Sequence, residues 1–259
     1  MGKVEHGQVV WHELMTPDPA GAKAFYGGLF GWTFNDYNIP GMPPYSMFGE
    51  SMEKTSGGFC DANMIPGNPP PHWLCYWHVD DVNAIPAQVE SLGGQVMVPP
   101  TDIPSVGRFS IATDSDGAVF AVITMADLDK YMGLPQGAGT FCWYELHAKD
   151  AAKVTGFYEN LYKWGRQPMD MGPMGTYHIM TRGEQQVAGA MNIPPHETYP
   201  SMWLPYIAVD DVDASATKAS GLGGKILLAP TDIPNVGRFS VVMDPQGAVF
   251  ALYRTKNPA

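Results

Sequence analysis

"TDIPSVGRFS", Thr101 to Ser110, returns as "TDIPNVGRFS", Thr231 to Ser240, with Ser105 replaced by Asn235 as the single change. Such a match, 130 residues apart, decides the fold if it extends beyond itself, because a duplicated gene repeats its surroundings and a coincidence does not. It extends both ways. "DSDGAVFAV" from Asp114 lies over "DPQGAVFAL" from Asp244, and "HVDDV" ending at Val82 lies over "AVDDV" ending at Val212. Toward the N-terminus the offset becomes 132: "WHEL" at Trp11 meets "WYEL" at Trp143, and "FYGGLFGW" at Phe25 meets "FYENLYKW" at Phe157. The chain is a tandem duplication whose second copy is two residues shorter between Trp164 and Trp203.

Each copy spans roughly 125 residues, enough to bury its own core. The seam falls in "ADLDKYMGLPQGAGT", Ala126 to Thr140, which predicts domains over 1–126 and 139–255 with a linker over 127–138. A composition of 45% hydrophobic and 16% charged residues is that of a folded protein. The net charge of −11 repels phosphate backbones and anionic head groups, so neither nucleic acid nor a membrane surface is an expected partner. Met1 leads into "GKVEHGQ" without an apolar stretch, and no run approaches the ~18 residues of a membrane span, so the expected location is the cytoplasm. Cys60, Cys75 and Cys142 are odd in number and widely spaced, which predicts packing residues rather than a disulfide framework.

Within one copy, "QVVWHELMT" from Gln8 reads as a strand. "PDPAGAKAFYGGLFGW" then reads as a helix opened by Pro17 and Pro19 and stopped at Gly31. "YSMFGE", "SGGFCDAN" and "WLCYWHV" are strand-like runs. The pattern restarts at "DDVNAIPAQVESLGG", a helix capped by Asp80 or Asp81 with Pro86 forcing a short first turn or a kink, and continues through "GQVMVPP", "GRFSIATD" and "AVFAVIT". Each copy is thus two βαβββ units.

Paired βαβββ units, "FYGGLFGW", "VDDVNAIPAQVESLGGQV" and "DSDGAVFAV" together resemble the vicinal oxygen chelate superfamily, which includes glyoxalase I, bleomycin-resistance proteins and extradiol dioxygenases. The resemblance is closest to bacterial two-domain glyoxalase-like proteins. It implies an α+β fold of tandem glyoxalase-like domains, each two βαβββ units forming a curved, cup-shaped sheet with helices on the convex side. It also implies a small organic ligand, carbonyl-bearing or aromatic. That ligand is handled by a lyase, isomerase or dioxygenase, or sequestered by a drug-binding protein of the bleomycin-resistance kind. Single-domain members pair, so a tandem chain working as a monomer or homodimer is expected.

Metal-dependent members place one ligand on each of four strands of the cup. Those positions fall here on Trp11, Leu74, Ala121 and near Phe59 in copy one, and on Trp143, Leu204, Ala251 and near Ala190 in copy two, none of which ligates a metal. The expectation is therefore a site without metal or other cofactor. The alternative is a divalent metal at a shifted site of Glu13 with His78, or of Glu145 with His147. Period-two alternation turns Trp11 with Glu13, and Trp143 with Glu145, toward the cup, which makes Glu13 and Glu145 the candidate catalytic carboxylates. His12, on the other face, reads as a packing histidine. If Phe109 and Ile111 face the helices, Arg108 faces the cup, as does Arg238 in copy two, and either cation would pair with the carboxylate or bind an anionic ligand. Trp11, Tyr76, His78, Arg108, Trp143, His147, Tyr206 and Arg238 complete the candidate ligand-binding set. No Walker loop, nucleophile elbow or dinucleotide glycine motif occurs.

Overall fold

A computed structural model of the chain describes residues 4–37, 44–51, 54–128, 136–172 and 175–256, so part of the expected linker lies outside the described residues. The first strand forms as β1, Val9–Thr16, and the first helix as α1, Pro19–Phe30. Asp18 caps α1 by accepting a bond from the Gly21 amide, and Gly31 closes it at φ 73°, a left-handed conformation that costs a residue without Cβ nothing. β2, Thr33–Tyr37, follows, an element that the hydrophobic pattern does not announce because its side chains are largely exposed. β3, Tyr45–Ser51, and β4, Lys54–Asp61, complete the first βαβββ unit.

β5, His72–His78, opens the second. Asp81 then caps a 3-10 turn over Val82–Ala84, and Pro86 sits in the first turn of α2, Ile85–Ser91, where its missing amide hydrogen is not needed. β6, Gln95–Ile103, β7, Gly107–Thr113, and β8, Val119–Met125, finish the copy. The second copy repeats the order with β9, Phe141–Ala148, α3, Ala151–Tyr162, β10, Gly165–Asp170, β11, Thr176–Arg182, and β12, Gln185–Asn192. It continues through β13, Met202–Ala208, α4, Val212–Gly221, β14, Lys225–Ile233, β15, Gly237–Met243, and β16, Val249–Thr255.

Hydrogen bonding follows the copies. Each forms one open eight-stranded sheet, in the orders β2-β3-β4-β1-β5-β8-β7-β6 and β10-β11-β12-β9-β13-β16-β15-β14. The parallel register of β1 with β4 sets Leu14 beside Phe59 and Glu13 beside Gly58. Phe59 packs on Tyr26 of α1 at 5.7 Å, so Leu14 and His12 face the helix while Trp11, Glu13 and Met15 face the helix-free side. His12 is the packing histidine expected: its Nδ1 lies 2.8 Å from the Ser56 carbonyl, its ring stacks on Phe141 at 3.6 Å, and burial pushes its pKa down to about 3.

The duplicated ten letters build a self-contained hairpin. Ile103 O accepts from the Val106 amide at 3.0 Å across Pro104 and Ser105, whose φ of 66° makes this a type II turn, and Asn235 repeats it at 65°. Ser110 Oγ reaches the Val98 carbonyl and Ser240 Oγ that of Leu228, both at 2.7 Å. Arg108 Nη1 meets Asp102 at 2.6 Å, and its Nε meets Asn83 of the 3-10 turn at 3.0 Å. Arg238 likewise meets Asp232 and Asp213, the latter on α4. Both arginines lie on the face opposite to the one expected. Arg108 pairs in register with Thr124 and Ser110 with Val122, on the helix face, whereas Ile111 pairs with Ala121 on the helix-free face. The buried residues of this strand are the small Ser110 and Ala112, not Phe109 and Ile111. Neither arginine pairs with the strand-one carboxylates.

Backbone proximity gathers the described residues into two compact units, one within 4–10, 74–128 and 143–204, the other within 11–73, 136–142 and 205–256. Each contains parts of both copies and has the same core. In the second unit the Tyr26 hydroxyl donates to Asp244 Oδ2 at 2.9 Å and accepts from Trp73 Nε1 at 3.0 Å, among Trp32, Phe59 and Phe250. In the first, the Tyr158 hydroxyl donates to Asp114 Oδ2 at 2.8 Å and accepts from Trp203 Nε1 at 2.9 Å. The other oxygen of each aspartate caps its own "DxxGA" turn, Asp244 Oδ1 accepting from the Gln246, Gly247 and Ala248 amides. All polar atoms of this knot are paired, as burial demands.

Tyr26→Phe and Tyr158→Phe should each cost about 1–3 kcal/mol, because a buried aspartate loses its donor and an indole its acceptor; urea denaturation of the single variants measures this. Burial also holds the Asp114 and Asp244 carboxyls above the usual range. The folded chain therefore binds these protons more tightly than the unfolded one, and their contribution is full below the ordinary carboxylate value of ~4 and declines as pH rises through the raised one. Denaturation midpoints of Asp244→Asn measured across that window should fall less steeply with pH than those of the wild type.

Candidate functional site

β9 alternates Tyr144, Leu146 and Ala148, all buried, with Trp143, Glu145 and His147 on the helix-free face. β12 runs parallel to it, placing Gly189 beside Glu145 and Met191 beside His147. Gly189 makes room for Tyr177 of β11: a Cβ there would stand 1.9 Å from the Tyr177 hydroxyl oxygen. That hydroxyl accepts from Trp143 Nε1 at 3.0 Å and donates to Glu145 Oε2 at 2.8 Å. Copy one builds the same group. Trp11 Nε1 donates to the Tyr45 hydroxyl at 2.7 Å, Tyr45 hydrogen-bonds Glu13, and a Cβ on Gly58 would stand 2.2 Å from the Tyr45 ring. Burial and then the Glu13 charge raise the Tyr45 pKa well above the usual phenol range. Glu13 and Glu145 are 9% and 7% exposed, so both carboxylates are held by built partners rather than by water.

Beyond this shared group the copies part. In copy two, His147 Nε2 lies 2.8 Å from Glu145 Oε1, and its Nδ1 lies 2.7 Å from the hydroxyl of Tyr199, which the loop between β12 and β13 delivers. Burial, then the charges of Glu197 and Glu145, push the Tyr199 pKa up to about 12. In copy one Met15 stands where His147 does, and Cys60 lies in register beside it with its pKa pushed up to about 12, chiefly by burial and then by Glu13. A thiol so held is not a nucleophile.

The profile of the Glyoxalase/Bleomycin resistance protein/Dioxygenase superfamily matches residues 8–122 and again 140–252. The chain belongs to this superfamily. Among curated proteins it is similar to CFP32 of Mycobacterium bovis, provisionally named a glyoxylase, at 38% identity over 94% of this chain and 93% of that one. It is also similar to the anthracycline biosynthesis protein DnrV of Streptomyces peucetius, at 31% identity over 97% and 94%. Among solved structures it shares its fold with the Mn(II)-bound glyoxalase of Novosphingobium aromaticivorans at a TM-score of 0.61 and 16% identity, covering 98% of this chain and 83% of that one. A variant of homoprotocatechuate 2,3-dioxygenase from B. fuscum gives 0.64 and 12%, covering 98% and 73%.

Metal-bound members of the superfamily need several lone pairs aimed at one point. Here Phe59 and Ala190 pair in register with Leu14 and Leu146, on the helix face, so the fourth-strand positions carried over from the resemblance turn away from Glu13 and Glu145 altogether. Among the described residues no three His, Cys, Asp or Glu side chains gather. In copy two both carboxylate oxygens of Glu145 and both ring nitrogens of His147 already have partners. This donor set does not fit a divalent ion without being dismantled.

Of the other sequence candidates, Tyr76 packs against Phe109 and Tyr206 against Phe239, both at 6.1 Å, in equivalent places of the two copies. His78 is 2% exposed, 3.9 Å from Asp80, and burial lowers its pKa. Three site residues escaped sequence reasoning. Tyr45 and Tyr177 lie 132 residues apart, the offset of the flanking matches, so a signal for them existed. Tyr199 has Pro69 as its counterpart and no such signal.

Gly58→Ala and Gly189→Ala should each destabilise by about 1–3 kcal/mol, since the tyrosine ring over the glycine must move. Gly156→Ala, inside α3 with only Glu159 Oε2 at 3.8 Å from the new Cβ, should instead be neutral or stabilise by up to about 1 kcal/mol. Thermal unfolding of the three variants checks both directions.

Proposed function

We propose that the chain binds a small carbonyl-bearing or aromatic molecule and that the Glu145–His147 pair of copy two moves a proton on it without a divalent metal. The observation that carries this reading is the continuous relay Trp143–Tyr177–Glu145–His147–Tyr199, in which a carboxylate fixes an imidazole whose far nitrogen faces a loop hydroxyl. An imidazole oriented by a carboxylate is the arrangement that general acid–base chemistry uses. The names of the relatives, one after glyoxylase and one after anthracycline biosynthesis, agree with small-molecule chemistry. The proton lost from the carbon beside a carbonyl passes into the relay and returns to carbon or oxygen, so the reaction class is isomerisation and needs no oxidant.

A second reading belongs to copy one. With Met15 in place of the histidine, the Trp11–Tyr45–Glu13 group has a carboxylate and no imidazole beside it, which suits binding without turnover, as in a drug-sequestering protein.

Wash-out of the α-hydrogens of 2-hydroxyacetophenone in D2O, followed by proton NMR in metal-depleted buffer, tests the proposal. Wild type should exceed buffer by at least tenfold, Glu145→Gln should lose roughly 10²-fold, and Glu13→Gln should keep the rate. Absence of acceleration, equal losses in both variants, or a rate that appears only with stoichiometric bound zinc, nickel, iron or manganese on elemental analysis would contradict it.

A further inference from the structure

The relay in copy two has a direction, and the direction selects the ligand. Indole Nε1 can only donate, so Trp143 donates to the Tyr177 oxygen, which leaves the Tyr177 hydrogen for Glu145 Oε2. Glu145 is thus an acceptor at Oε2. At Oε1 it faces His147 Nε2 at 2.8 Å, and since a carboxylic acid ordinarily gives up its proton far more readily than an imidazolium, the hydrogen between them sits on nitrogen. A ring that holds one hydrogen then carries it at Nε2 and offers a lone pair at Nδ1. The group 2.7 Å from Nδ1 is the Tyr199 hydroxyl, which must therefore donate. Five residues share four hydrogens, all pointing toward the carboxylate and the ring nitrogen.

Tyr199 ends the chain, and its only hydrogen is spent on His147. Its oxygen has lone pairs to offer and no hydrogen. It is half-buried on a loop whose residues 195–198 are exposed, so it is the relay's outer end. Burial and the Glu197 and Glu145 charges keep it protonated at neutral pH, so it does not present itself as an anion.

We infer that Tyr199 is the group that touches the ligand, that His147 and Glu145 position it, and that the site selects molecules presenting a hydroxyl hydrogen, phenols and α-hydroxy ketones, over their ethers. The inference rests on the proposed use of this site and adds the contact residue and the ligand class. When the ligand O–H breaks, its proton forms the new Tyr199 O–H bond. The old Tyr199 proton moves to His147 Nδ1, and the resulting imidazolium is held by the Glu145 carboxylate while the ligand keeps the electron pair as its oxyanion. Return of the protons restores the resting relay, so charge and atoms balance. Copy one lacks both the imidazole and the loop tyrosine, Met15 and Pro69 standing at those positions, and does not share the selectivity.

The test is a 15N NMR spectrum of the histidine-labelled chain at pH 8, with the His147 signals assigned by their loss in His147→Gln. The relay predicts the neutral Nε2–H tautomer. Addition of 2-naphthol should shift the Nδ1 signal, with half-saturation at a concentration at least tenfold below that for 2-methoxynaphthalene, and Tyr199→Phe should remove the difference. An Nδ1–H tautomer, a doubly protonated ring, an equal response to naphthol and ether, a preference that survives in Tyr199→Phe, or no response to either probe overturns the inference. The α-hydrogen exchange of the proposed function is read separately. Naphthol selectivity without exchange would sink the proton-transfer reading alone, and exchange without naphthol selectivity would sink this one alone.

Discussion

A phenol hydroxyl bonded to a buried aspartate, once in each compact unit, is the constraint on which the rest of the structure depends. Tyr26 with Asp244, and Tyr158 with Asp114, each join the helix of one copy to the last turn of the other. The aspartate cannot be left unpaired in an aromatic core and the tyrosine cannot be left without an acceptor, so neither partner tolerates the other's loss. An indole hydrogen from Trp73 or Trp203 fills the remaining position on the phenol oxygen. This knot explains why "FYxxLxxW" and "DxxGAVFA" occur twice: each copy supplies one half of each lock. It fixes α1 and α3, and through them the face to which β1 and β9 turn their carboxylates.

On that face, conservation of geometry ends at one residue. Trp, Tyr, Glu and a glycine that admits the tyrosine ring are the same in both copies, down to which atom donates. At the next alternate position of the strand copy one has Met15 and copy two has His147. Copy two thus adds an imidazole and a loop hydroxyl beside the shared carboxylate, where copy one has Met15 and Pro69. Duplication permits this, since one copy can keep the packing while the other changes its chemistry on an unchanged backbone.

Much of this was legible in the letters. The ten-residue repeat gave the duplication, the Pro and Gly punctuation gave the helices, and alternation along "WHEL" and "WYEL" put the carboxylates on the right face. β2 and β10 were not legible, because both lie largely exposed at sheet edges and carry no apolar alternation. Alternation alone misplaces Arg108, because it reads large apolar residues as the buried ones, whereas close packing beneath the helices selects Ser110 and Ala112. The interleaving of the copies in the compact units leaves no trace in a self-comparison, which aligns like with like and not Tyr26 with Asp244. Tyr199 aligns with Pro69 and not with another tyrosine, and only the fold brings its loop to His147.

The proposed division of roles gives copy two alone an imidazole behind the hydroxyl that meets the ligand. Met15 on β1 and Met191 on β12 report on the two faces, each beside or in the place of the decisive residue. Carbon-13 NMR of methionine methyl groups during titration with an α-hydroxy ketone reads both at once. The account predicts that the Met191 signal moves with the α-hydroxy ketone at concentrations at least tenfold below those its methyl ether needs, and that any movement of Met15 treats the two alike; a Met191 signal indifferent to the hydroxyl, or the same preference at Met15, would contradict it.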